Sequence, residues 1–176
     1  MRKGMSQDFT LLGLLNAREE RVARQEELTR RYMASLLCLR VNCPGAKKDT
    51  PQTRAVVRTL NERILREFGG SILHRESMVT EEGPVVLYCM GTEATEIKIA
   101  SMEIEDHHPL GRFVDLDVYD HHCRALSRRD FGRRPRRCYL CERDAKLCAR
   151  EGGHSQEELI RYMNQQIEAY LDADQP

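Results

Sequence analysis

The sequence predicts an α+β protein built on one β-α-β-β-α-β unit, and three observations carry that expectation. Apolar residues alternate in short runs and recur at helical spacing in longer ones, in that order, between residues 36 and 118. Pro51 opens the first of the two long helical segments and Gly69-Gly70 closes it. The two middle runs are separated only by Glu81-Glu82-Gly83-Pro84, a turn sequence that makes them a hairpin.

The elements follow in chain order. A helix is expected from about Thr10 to Met33, with Leu11, Leu14, Leu15, Val22 and Leu28 as a broken apolar stripe among Arg, Glu and Gln. Arg18, Arg21 and Arg24 recur every three residues beside Gln25; a solvated face accounts for them, and contact with a substrate or partner is the alternative. Leu36 to Val41 reads as a strand, ended by Asn42-Cys43-Pro44-Gly45. Ala55, Val56, Leu60, Ile64 and Leu65 mark the helix after Pro51. Ile72 to Val79 and Val85 to Met90 are strands two and three, and Thr92 to about Asp106 is a helix carrying Ile97, Ala100, Met102 and Ile104. Gly111 to Val118 is strand four. This order is that of the ferredoxin-like fold, with both helices on one face of an antiparallel sheet and the other face open. Polymerase palms place metal carboxylates on such a face, an analogy of fold only. Ser155 and Glu158 form a capping box, and a final helix runs to about Leu171 with Leu159, Met163, Ile167 and Tyr170 on one side. The expected organisation is one domain over 1–176: a helical arm (1–34), a palm-like core (35–122), and an arginine-rich segment with a Cys3His module and helix (123–176).

Composition narrows the function. The chain has 176 residues, with 28 basic and 28 acidic side chains. Neutral net charge argues against a general binder of nucleic acid or membrane, and no apolar run is long enough to span a bilayer. Met1-Arg2-Lys3 followed by Leu11 to Leu15 is too short a signal and runs into Arg18-Glu19-Glu20-Arg21. The expectation is therefore a cytoplasmic protein whose seven cysteines are reduced, so that clustered ones suggest a metal before disulfides.

Strand four carries the most pointed motif. Side chains alternate along a strand, so Asp115 and Asp117 share one face while Val114, Leu116 and Val118 share the other. Two adjacent carboxylates repel unless a cation lies between them. Mg²⁺ takes oxygen ligands, commonly one or two carboxylates plus substrate phosphates, so the pair suggests phosphoryl or nucleotidyl transfer. Plain solvated charge is the bland alternative. Arg128, Arg129, Arg133, Arg134, Arg136 and Arg137 follow closely, and guanidinium forks match phosphate oxygens; a solvated basic loop is the alternative. Gly45 and Lys48, before the helix at Pro51, form a second candidate phosphate loop. His108, in His107-His108-Pro109-Leu110-Gly111, is a candidate general base or phosphate contact. Cys138, Cys141, Cys148 and His154 supply the four ligands of a closed structural Zn²⁺ site; buried thiols around a short helix are the alternative. Cys38, Cys43, Cys89 and Cys123 have no such spacing and read as core or incidental thiols.

Taken in order, these segments resemble the CitX family, the apo-citrate lyase phosphoribosyl-dephospho-CoA transferases. The resemblance rests on Arg18-Glu19-Glu20-Arg21 with Arg24-Gln25, Pro44-Gly45 with Lys48-Asp49, and His108-Pro109-Leu110-Gly111-Arg112 with Asp115-Leu116-Asp117-Val118. It continues through Leu126-Ser127-Arg128-Arg129-Asp130, Pro135-Arg136-Arg137-Cys138 with Cys141, and Cys148-Ala149-Arg150 with His154. Ala46 departs from the family's usual Pro-Gly-Pro, and Phe113-Val114 from its usual aromatic before the first Asp. The resemblance implies transfer of the prosthetic group of 2′-(5″-triphosphoribosyl)-3′-dephospho-CoA to a serine of the acyl-carrier (gamma) subunit of citrate lyase, with release of diphosphate. It implies Asp115 and Asp117 as Mg²⁺ ligands, and Gly45, Lys48, Arg112, Arg128, Arg129, Arg136 and Arg137 around the phosphates, with His108 as a site residue. No nucleic acid or membrane partner is expected. The rivals are the sister transferase acting on the malonate decarboxylase carrier, a zinc-stabilised binding module without catalysis, and a structural accessory subunit.

Overall fold

A computed structural model describes residues 4–173, with side chains in the first helix from Leu12 onward. Met1-Arg2-Lys3 and the side chain of Leu11 lie outside the described residues. The elements are α1 (Gly4–Tyr32), β1 (Ser35–Val41), α2 (Pro51–Phe68), β2 (Ile72–Thr80), β3 (Gly83–Met90), α3 (Ala94–His107), β4 (Val114–Tyr119), β5 (Ala125–Leu126), α4 (Ala145–Arg150) and α5 (Gln156–Ala173). One five-stranded sheet has the order β2-β3-β1-β4-β5, and the β2/β3, β1/β3, β1/β4 and β4/β5 pairs are all antiparallel.

The sheet separates two cores. On one side Leu37, Leu39 and Val41 of β1 join Val56, Leu60 and Ile64 of α2, Ile97 and Ile104 of α3, Val114, Leu116 and Val118 of β4, and Met163 and Ile167 of α5. These are the alternating and helical apolar sets of the sequence, and burying them is the main driving force for the fold. Local signals hold as well. Thr50 caps α2 by accepting from the Thr53 amide, Pro51 follows it, and Ser155 and Glu158 exchange the capping-box bonds ahead of α5 (Ser155 N to Glu158 Oε2 2.8 Å, Glu158 N to Ser155 Oγ 3.2 Å).

The second core corrects the expectation of an open face. Leu36 and Cys38 of β1 and Val85, Leu87 and Cys89 of β3 are covered by α1 through Leu28, with Ala34 beside it. The stripe of α1 also differs from the expected one. Leu15 and Val22 are 46% and 44% exposed, while Ala17, Arg21, Gln25, Leu28 and Thr29 are buried at helical spacing. Two of the arginines that read as a solvated face are therefore anchors. Arg21 meets the buried Glu82 carboxylate (2.6 Å), and Arg24 pairs with Glu76 on β2 (2.5 Å). Charge on the hairpin, which an apolar-periodicity reading ignores, turned the helix.

The other differences are small. Gly111–Phe113 is a 3₁₀ turn, so β4 begins at Val114. The turn lies so close under the end of α3 that a Cβ on Gly111 would sit 2.8 Å from the Glu105 carbonyl oxygen. The two-residue β5 carries no periodicity and was not expected, while the short α4, which carries Cys148, corresponds to the short helix of the alternative reading of the cysteine cluster.

Candidate active site and tail metal cluster

The register of β1 against β4 builds the site. Arg40 lies opposite Asp115, Cys38 opposite Asp117, and Leu36 opposite Tyr119. All six side chains share the face that α1 only partly covers. Asp115 and Asp117 thus share a face as the alternation required, with side chains 19% and 37% exposed.

Arg40 is the residue sequence reasoning missed. Its Nη2 lies 3.0 Å from Asp115 Oδ2, and its Nε donates to Asp117 Oδ2 at 3.0 Å. Burial alone would lower the guanidinium pKa, but the two carboxylates more than offset it and leave Arg40 strongly held as a cation. The available signal was parity: Arg40 is the one charged residue of β1, which is otherwise apolar after Ser35, and falls on the same face as Cys38. Burial, with the Asp117 charge, pushes the Cys38 thiol up to about 12, so this cysteine is a packing group and not a nucleophile.

The outer edge of β4 explains a second cluster. On this edge, beyond the short β5, no strand among the described residues pairs with Val114 to Leu116, and buried backbone groups need partners. Side chains provide them. Arg136 Nη1 donates to the Val114 carbonyl (2.7 Å), the Leu116 amide donates to Glu105 Oε1 (2.9 Å), and Lys98 Nζ donates to the Leu116 carbonyl (3.1 Å). Arg136 then reaches over the edge to Asp115 Oδ1 on the other face. Burial pushes the Glu105 carboxyl up, against the pull of Arg136.

Beside this edge is a cleft of about 380 Å³ lined by Asp106, Gly132, Pro135 and the arginines 112, 128, 133, 134, 136 and 137. Four expected phosphate contacts, Arg112, Arg128, Arg136 and Arg137, therefore share one cavity; Arg129 is exposed and does not line it. Arg128 is bonded to Glu105 (3.1 Å) and Asp106, which hold its fork in place. Arg112 donates to the Arg137 carbonyl and lies over the Tyr139 ring at 6.0 Å.

The remaining candidates divide. Lys48 donates to the Cys43 carbonyl, and burial lowers its pKa, with Cys43, Arg18, Arg40 and Asp115 also acting on its charge. Gly45, at φ +83, turns the loop against Gln156 and Ile160 of α5 instead. Its positive φ is the conformation for which glycine is suited. His108 caps the end of α3, accepts from the Leu110 amide at Nδ1 (3.1 Å) and packs on Tyr170 with ring centroids 5.5 Å apart.

Two metal sites can be tested against these residues. The acid pair offers hard oxygen donors on one face, a set that suits Mg²⁺. Arg40 now supplies the counter-charge there, so a cation would share or replace that role. In the tail, ligand atoms of Cys138, Cys141, Cys148 and His154 all lie within 4.8 Å of one another. The Cys141 and Cys148 sulfurs are 3.8 Å apart, about the edge of a tetrahedron with metal–sulfur bonds of about 2.3 Å. The His154 Nε2 is buried with no hydrogen-bond partner. The neighbouring His154 ring and Arg143 draw the Cys141 thiol down to about 6.

Comparison with known proteins places the chain in a family. The family model described as CitX, apo-citrate lyase phosphoribosyl-dephospho-CoA transferase, matches residues 9–170. Proteins named apo-citrate lyase phosphoribosyl-dephospho-CoA transferase from Escherichia coli O7:K1 and Shigella boydii serotype 18 are each 36% identical over 153 residues, covering 85% of this chain and 84% of theirs. The chain belongs to the CitX family of apo-citrate lyase phosphoribosyl-dephospho-CoA transferases.

Proposed function

We propose that this protein transfers the prosthetic group of 2′-(5″-triphosphoribosyl)-3′-dephospho-CoA to a serine of the apo-acyl-carrier (gamma) subunit of citrate lyase. The serine oxygen forms a bond to the phosphorus next to the ribose. The bond from that phosphorus to the departing diphosphate breaks, and a phosphodiester remains. The observation that supports this most is the convergence of Asp115 and Asp117 on one face, joined by Arg136 to an arginine-lined cleft.

In this reading Asp115 and Asp117 hold Mg²⁺, which when bound neutralises phosphate charge and makes the attacking hydroxyl more acidic. Lys48 and the cleft arginines hold the triphosphate, Arg112, Arg136 and Arg137 first among them, since pre-placed cations stabilise charge on the leaving group. Arg128 steadies the cleft wall through Glu105 and Asp106. Arg129, exposed nearby, is left for an outer phosphate contact. His108 shapes the Pro109–Gly111 turn that leads into β4, and Gly45 lets the Lys48 loop bend against α5. The β-α-β-β-α-β order with the observed sheet order is read as a palm-like, ferredoxin-like core, and the Cys3His cluster as a structural Zn²⁺ site. No helix among the described residues is long and apolar enough to cross a membrane; cytoplasmic placement is part of the same reading.

The test is to mix the protein, Mg²⁺, the triphosphoribosyl donor and an apo-carrier, then weigh the carrier by mass spectrometry. The citrate lyase carrier is expected to gain the prosthetic group. Labelling of the malonate decarboxylase carrier instead would move the assignment to the sister activity, and labelling of neither would overturn the transferase reading.

A further inference from the structure

The tail segment poses a physical problem. Between Gly132 and Arg150 only Cys148 is buried and only Tyr139 packs on the main core, against Phe113, so little apolar surface holds this stretch in place. Yet it must aim Arg136 over the edge of β4. Short segments of this kind are commonly stapled by a metal.

The cluster has what such a staple needs. Its four ligand atoms already converge, and one sulfur pair stands at tetrahedral spacing. The His154 Nε2, buried and unpaired, is an uncompensated cost without a ligand. A Cβ on Gly153 would lie 2.8 Å from the Cys148 sulfur, so the chain wraps the cluster too closely for a side chain there.

The cluster is also wired to Arg136 by backbone. The Cys138 amide donates to the Arg143 carbonyl (2.8 Å), and the Ala145 amide donates to the Arg136 carbonyl (2.9 Å). Arg137 and Asp144 form an isolated antiparallel bridge. Asp144 accepts from the Lys146 and Leu147 amides (2.8 and 3.0 Å), which starts the α4 turn carrying Cys148. The loop closed by Cys138, Cys141 and Cys148 therefore folds back on residues 136 and 137. From there the Arg136 side chain reaches Val114 and Asp115.

We propose that Cys138, Cys141, Cys148 and His154 bind one Zn²⁺-type ion whose task is to position Arg136 on Asp115, so that occupancy of the tail centre controls the acid pair. The control of transfer rests on the transferase reading above; the metal centre and its hold on the backbone do not. Arg136 is the positioned group and the ion never meets the substrate.

The full chain is purified without added metal, and its metal content and Co²⁺ spectrum are measured. One ion per chain is expected, with the visible absorption of tetrahedral, thiolate-bound Co²⁺ after exchange. A metal-free chain that gives no such bands on Co²⁺ titration overturns the centre. Chelated and Zn²⁺-reloaded protein are then compared. Removal is expected to speed backbone exchange at Cys138 and Ala145 while β1 and β3 stay protected, and to raise the donor KM by about tenfold or more, with recovery on one equivalent of Zn²⁺. In Arg136→Gln the KM is already raised and no longer responds to metal. An equal further rise on metal removal in that variant overturns the coupling. If the metal-loaded chain labels neither carrier, the transferase reading fails on its own. Exchange then decides the positioning claim: unchanged protection at Cys138 and Ala145 overturns it.

Discussion

Arg40 changes how the acid pair is understood. Two carboxylates one residue apart on a strand are costly to hold together, and here one guanidinium takes an oxygen from each while Arg136 takes another. Replacing it by glutamine leaves Asp117 without its cation and Asp115 with Arg136 alone. Arg40→Gln is expected to cost about 1–3 kcal/mol of stability in denaturant titration, and to shift the Mg²⁺ dependence of transfer to lower concentration, because the competing cation is gone. Unchanged Mg²⁺ dependence would mean that the metal and Arg40 do not share the pair. At this scale the sequence was half legible. Strand alternation was enough to put Asp115 and Asp117 on one face. It said nothing about which residue of another strand stands across from them, since register is set by the whole sheet.

The elements were largely readable, because each long one carries its own period and its own stop signals. What was not readable is how α1 lies. Its apolar residues are few, and its orientation is set by Arg21 to Glu82 and Arg24 to Glu76, pairs separated by 61 and 52 residues. Arg21→Ala is expected to cost about 2–3 kcal/mol, since it strands the buried Glu82 with only Arg18 nearby (3.3 Å). The Glu76 pair gives a pH signature. A hydrogen bond from Arg24 holds the Glu76 carboxyl below its ordinary 4.5. Its stabilisation is therefore complete above about pH 4.5 and is lost as pH falls through the lowered folded value. The gap in Tm between wild type and Glu76→Gln should narrow as the pH falls below that point; a constant gap would show that α1 does not depend on this charge. Gly111→Ala tests the turn into β4. Its Cβ would meet two backbone carbonyls at the end of α3, Ile104 and Glu105, and a loss of about 3 kcal/mol or more is expected.

Across the whole molecule, the sheet sorts structure from chemistry. One face packs α2, α3 and α5 into the larger core; the other is shared between α1 and the acid pair. The arginine cleft sits at the β4 edge, where Arg136 links it to Asp115. The tail module was legible as a ligand set but not as a shape, because residues 132–150 have no period and touch the core chiefly through Tyr139, taking the rest of their form from capping bonds and the cluster. β5 escaped notice for the same reason. The central claim, that the face carrying Asp115 and Asp117 is where the donor reacts, is tested most directly by the carrier mass after incubation with Asp117→Asn. Asp117 shares only Arg40 with the rest of the network, so this change disturbs the fold least. The account predicts no gain in carrier mass with an unfolding transition close to that of the unaltered chain; near-normal labelling by Asp117→Asn would contradict it.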